Sequence, residues 1–110
     1  MFTAHGEGYV AVNGERYTRP IVVSAEQVRE DWQPEGFSAL AESHFAYFLE
    51  LRPEVVLFGT GSRQQFPPPH LYRQLAEARI AVEFMDTAAA CRTYNILQAD
   101  DRKVVAAILP

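Results

Sequence analysis

Cysteine is almost missing from this chain: Cys91 is the only one among 110 residues. A single thiol excludes an internal disulfide and any multi-cysteine metal or iron–sulfur site. Basic residues are the minority, ten against fourteen acidic, which leaves a net charge of −4. That balance argues against non-specific nucleic-acid binding, which needs a basic face to displace counterions from phosphates. No stretch approaches the roughly 18 consecutive apolar residues of a membrane helix. The longest apolar run, Val104 to Leu109, has the length of a strand. Met1 to Gly8 lacks the basic start and apolar core of a secretory signal. These absences read as a reducing, cytoplasmic location without membrane insertion, or a matrix-type one where a targeting segment has been removed. His5, His44 and His70 are too scattered for a local zinc pattern, so no metal and no cofactor is expected.

What is present is an ordinary globular composition, 48% hydrophobic and 12% aromatic. Residues 1–110 are expected to form one domain, since a chain of this length buries roughly two-thirds of the surface exposed by its unfolded form. Tyr9 to Val12, then Asn13-Gly14, then Arg16 to Thr18 spell a β-hairpin, because Asn-Gly tolerates the positive φ angles of a type I′ turn. Ile21 to Val23 reads as a short buried strand, Gln27 to Trp32 is ambiguous, and Pro34-Glu35-Gly36 is a turn.

From Ala41 the apolar period becomes helical. Ala41, Phe45, Phe48 and Leu49 predict a helix near 41–51, ended by Pro53. Val55 to Phe58 is a continuous apolar run, as in a strand covered on both faces. Pro69 opens a helix near 69–79 whose buried side is expected at Leu71, Leu75, Ala76 and Ala78. Ile80 to Met85 is a further strand. Asp86 or Thr87 then caps a helix near 87–97, with Ala90, Cys91, Tyr94 and Leu97 on one stripe. Lys103 to Leu109 is the last strand. This alternation predicts an α/β fold with Glu54–Gly59, Ile80–Met85 and Lys103–Leu109 in one helix-covered sheet and the N-terminal hairpin appended.

Three groups of residues could carry chemistry. Gly59, Thr60, Gly61, Ser62 and Arg63 follow a buried strand, where backbone N–H groups can cradle an anion. Yet position 64 is Gln64, where a dinucleotide fingerprint needs its third glycine, and no Walker lysine follows. A strand-ending glycine turn accounts for the same residues. Asp86, Thr87 and Arg92 belong to a polar patch in which Asp86 and Arg92 could pair at the floor of a pocket. Asp86 as a helix cap, with Thr93 and Asn95 bonded to nearby loops, accounts for that patch as well. Cys91 lies on the apolar stripe of its helix, which suits a packed thiol better than a nucleophile.

Three segments carry a resemblance. Pro53-Glu54-Val55-Val56-Leu57-Phe58-Gly59-Thr60-Gly61, Gln65-Phe66-Pro67-Pro68, and Val82 through Asp86-Thr87 into Ala88–Leu97 resemble one small family. It comprises bacterial and archaeal single-domain proteins of unassigned function together with the mitochondrial respiratory complex I assembly factor 3. The resemblance implies a three-layer α/β domain with a mixed central sheet whose C-terminal strand runs antiparallel to its neighbours. A simple βαβ reading makes that strand parallel instead. No catalytic residue or cofactor comes with the resemblance, and the role it implies is contact with partner proteins.

Two functions therefore compete. One is a non-enzymatic interaction module with an unidentified protein partner, for which Tyr47, Phe66 and Tyr72 are candidate anchors. The other is a small-molecule or anion-binding domain, with or without enzymatic activity. Its site would lie where the Gly59–Arg63 loop meets the N-terminus of the Asp86–Leu97 helix.

Overall fold

A computed structural model describes residues 1–110, and it begins with a strand that the sequence pattern does not announce. That strand, β1 (Phe2–Gly6), pairs antiparallel with β2 (Tyr9–Val12), which pairs in turn with β3 (Glu15–Tyr17). Asn13 at φ 50° and Gly14 at φ 87° adopt the left-handed conformations expected between β2 and β3. β1 shows no alternation because Phe2 is its one buried residue. Its tether to the rest of the fold is polar. The Asn95 side chain accepts from the Phe2 N–H at 2.9 Å and donates to the Phe2 carbonyl at 2.8 Å.

The second sheet contains β4 (Ile21–Val23), β5 (Val28–Arg29), β6 (Val55–Gly59), β7 (Ala81–Met85) and β8 (Val104–Ile108), in the order β5-β4-β8-β6-β7. The three apolar runs do share this sheet, and β8 is a central strand buried along its whole length. It runs antiparallel to β4 but parallel to β6, so the expectation that it opposes its neighbours is corrected on the β6 side. The reason is the crossover: α3 (Thr87–Ala99) joins β7 to β8 and returns the chain in the direction in which it left.

The other two expected helices are each divided. α1 (Glu42–Ala46) tightens into a 3-10 turn at Tyr47–Leu49, and a 3-10 turn at Pro69–Tyr72 precedes α2 (Arg73–Glu77). Three residues per turn align positions three apart, so Phe45 and Phe48 enter the same layer, and both are fully buried. Ala41, Ala76 and Ala78, expected on buried faces, are exposed.

Period-two alternation divides the central sheet between two cores. Val55, Leu57, Ala106 and Ile108 meet Ala90, Cys91 and Tyr94 of α3, together with Val10 and Val12 of the small sheet. Val56, Phe58, Val105 and Ala107 face Trp32, Phe45, Phe48 and Leu75. Trp32 places its indole N–H on the His44 carbonyl at 2.9 Å, which satisfies its one polar atom.

Glu54 pins the start of β6 to the start of β8. Its carboxylate accepts from the Lys103 N–H at 3.0 Å and from Arg102 Nε at 3.2 Å. The Lys103 N–H first, and Arg102 second, hold the Glu54 carboxyl below its ordinary value. A carboxylate with a lowered folded-state pKa stabilises the fold above its unfolded pKa, and that contribution vanishes as pH falls through the folded value. The advantage of the wild type over Glu54→Gln in urea unfolding should therefore be present at pH 6 and fade under acid. An advantage that persists unchanged at pH 2 would refute this.

Candidate functional site

β6 ends where α3 begins to approach it. A Cβ on Gly59 would lie 3.0 Å from Thr87 Oγ1 and 3.1 Å from Thr87 Cα, so only glycine leaves room for this approach without displacement. Beyond it, the Thr60 hydroxyl donates to the Arg63 carbonyl at 2.7 Å and accepts from the Gln65 N–H at 3.1 Å, closing the loop. Gly61 turns the chain with φ 100°, a left-handed value suited to glycine.

Thr87 joins three segments at this end of the sheet. Its Oγ1 accepts from the Gly61 N–H at 2.9 Å and donates to the Leu109 carbonyl at 2.7 Å, while its N–H donates to the Gly61 carbonyl at 2.9 Å. Asp86 caps α3 by accepting from the Ala89 N–H at 2.8 Å. The Gly59–Arg63 loop and the α3 N-terminus thus stand side by side, because β6 and β7 are parallel neighbours.

Between them opens a cavity of about 440 Å³, lined by Gly61, Ser62, Asp86, Thr87 and Ala88, by Pro110, and by His5 to Gly8 of the β1–β2 turn. Arg63 and Arg92 do not line it. Of the two readings of Asp86, the pair with Arg92 does not form, since the only ion pair in the chain is Arg102–Glu54. Six helical positions separate the two side chains by about 240° of rotation. The charged side chains at the cavity wall are Glu7 and Asp86, both acidic, with His5 the third titratable group. The N–H groups of Thr87, Ala89 and Ala90 are already engaged within the fold. The β1–β2 turn was the unread wall of this cavity, and its one signal was the Gly6-Glu7-Gly8 spacing, with Gly8 at φ 77°.

Cys91 lies apart from this cavity. It is 1% exposed among Ala90 and Tyr94, and burial pushes its thiol up to about 12 against a small opposing effect of Arg92. No cluster of three or more His, Cys, Asp or Glu side chains is placed to hold a metal ion.

Two measurements follow. Thr87→Val should cost about 2 kcal/mol in denaturant unfolding, because it strips partners from the Gly61 N–H and the Leu109 carbonyl. A loss below about 0.5 kcal/mol would mean that the hydroxyl bonds carry little of the junction. Cys91 should resist a disulfide reagent at pH 8 in the native protein and react at once in denaturant, with Cys91→Ala costing about 1 kcal/mol. Rapid native modification would contradict its packed role.

Residues 2–109 match the model of a family described as protein of unknown function (DUF498/DUF598). The 13 kDa major membrane protein of Francisella tularensis subsp. holarctica (strain LVS) is 34% identical over 110 residues, covering 99% of this chain and 89% of that protein. The NADH dehydrogenase (ubiquinone) 1 alpha subcomplex assembly factor 3 of Bos taurus is 37% identical over 105 residues. That alignment covers 94% of this chain and 56% of the relative, so the chain spans just over half of its length. The crystal structure of a Bordetella parapertussis protein superposes with a TM-score of 0.92 at 41% identity, covering 99% of this chain and 93% of the other. No helix here is long and apolar enough to cross a membrane.

Proposed function

The chain belongs to the DUF498/DUF598 family, and from that premise we propose that it is a non-enzymatic protein-interaction module of the assembly-factor kind. The observation that carries this reading is Phe66, 67% exposed. Its ring stands edge-on to Phe84 with centroids 6.2 Å apart, and Phe84 in turn packs on Tyr72 and Phe58. Pro67 beside it is buried and holds the backbone. An aromatic ring presented on a rigid seat loses little freedom on binding, which is what makes such side chains effective anchors. Tyr47 and Tyr72 are only half exposed, and the Tyr47 hydroxyl is already committed to Asp31 at 2.7 Å. The likeness to a named assembly factor supports the same reading. A cytoplasmic location and independence from metal and nucleic acid belong to it.

The rival reading places a small ligand in the cavity beside Asp86. With Glu7 and Asp86 at its wall and both arginines outside, the cavity lacks the fixed positive charge that an anion would need.

Affinity purification of the tagged chain from its own cells tests the proposal. Wild type should retain a stoichiometric protein that Phe66→Ala loses, while stability changes by no more than about 1 kcal/mol. A co-purified metabolite without a protein, or a partner indifferent to Phe66→Ala, would overturn it.

A further inference from the structure

We propose that Arg52 and Arg79 form a second recognition site, at the opposite end of β6 from Gly59, which takes an acidic segment of a partner protein. This rests on the reading of the chain as an interaction module and names the chemistry of one contact.

The two arginines occupy equivalent places. Arg52 ends the 3-10 turn after α1, its N–H donating to the Phe48 carbonyl at 3.2 Å, with φ 47°. Arg79 ends α2 with φ 61°, and the Ile80 N–H closes back on the Leu75 carbonyl at 2.9 Å. Left-handed backbone at a helix stop favours glycine. Of the four non-glycine residues with positive φ, Asn13 and Asp101 are types that tolerate it, whereas arginine has no such preference.

The strands that follow place the two together. β6 and β7 are parallel neighbours with Val55 beside Ala81, and the Ala81 N–H donates to the Glu54 carbonyl at 3.2 Å. Arg52 and Arg79 lie just before these two paired strand starts, three residues ahead of Val55 and two ahead of Ala81. With Leu49, Pro53, Ala78 and Ile80 they line a hollow of about 420 Å³ that contains no carboxylate. Neither guanidinium enters an ion pair, and Arg102–Glu54 is the only one in the chain. Helix C-termini favour nearby cations through their dipole, but neither side chain donates to a terminal carbonyl. Two free guanidinium forks over an apolar floor match carboxylates flanking an apolar side chain, whereas free phosphate would leave the floor unused.

Glycine suits both φ values, so Arg52→Gly with Arg79→Gly removes the charge and leaves the turns unstrained. The experiment titrates the isotope-labelled full chain with the peptide acetyl-Glu-Leu-Glu-Glu-Leu-Glu-amide and follows the backbone amide resonances. The expected result is saturable shifts confined to 49–52 and 78–80, at least tenfold weaker affinity in the double glycine variant, and an unchanged or higher melting temperature for that variant. Lysine at both positions should keep part of the affinity. Shifts elsewhere, no saturation, or equal affinity in the glycine variant would overturn the site. Inorganic phosphate that fully displaces the peptide at comparable concentration would also overturn it, reassigning the hollow to a small oxyanion. If the partner captured from cells is lost by Phe66→Ala but kept by the double glycine variant, the second site falls while the module reading stands. If no partner is captured at all, the module reading falls, and the peptide titration alone then decides the chemistry of the hollow.

Discussion

β8 is buried from Val104 to Ile108, and such a strand must be covered on both faces and paired along both edges. Much of the architecture is a response to that demand. β4 and β6 supply the edges, one antiparallel and one parallel. α3 and the small sheet supply one cover, and the aromatic layer of Trp32, Phe45 and Phe48 supplies the other. Ala106 and Ala107 point to opposite covers, and their small side chains let both layers close on the strand.

The same closeness explains the junction at Thr87. Once α3 lies against β6 and β8, the chain ends that emerge there have backbone groups with little access to water. One hydroxyl and one N–H of Thr87 join the Gly61 turn, the α3 start and Leu109. Asp86 adds a cap on the Ala89 N–H, so that two polar side chains of this region serve backbone groups.

Phe66 projects from an aromatic stack that is otherwise core, and Arg52 and Arg79 carry cations at turns where glycine would suffice. An exposed aromatic and unpaired guanidinium groups are the kinds of group that dominate contacts between proteins. The Bos taurus relative that carries an assembly-factor name is nearly twice as long as the matched segment, so the shared domain is one part of whatever that protein does.

Local pattern was enough for β6, β8, the β2–β3 hairpin and α3, because each has a long apolar run, an Asn-Gly turn or a capped periodic stripe, and β7 was legible from a shorter run broken by Glu83. The α/β class followed from those elements, whereas the meeting of the Gly59–Arg63 loop with the α3 N-terminus also needed β6 and β7 to be parallel neighbours. β1 was not legible, since Phe2 is its only buried residue and Asn95, far along the chain, holds it in place. The two-residue strand β5 was too short to have a period. The placement of β4 beside β8 and the closing of the cavity by the β1–β2 turn were decided by tertiary structure. Each depends on which distant segments meet, and hydrophobic periodicity specifies the face that a residue turns inward, not the neighbour it finds there.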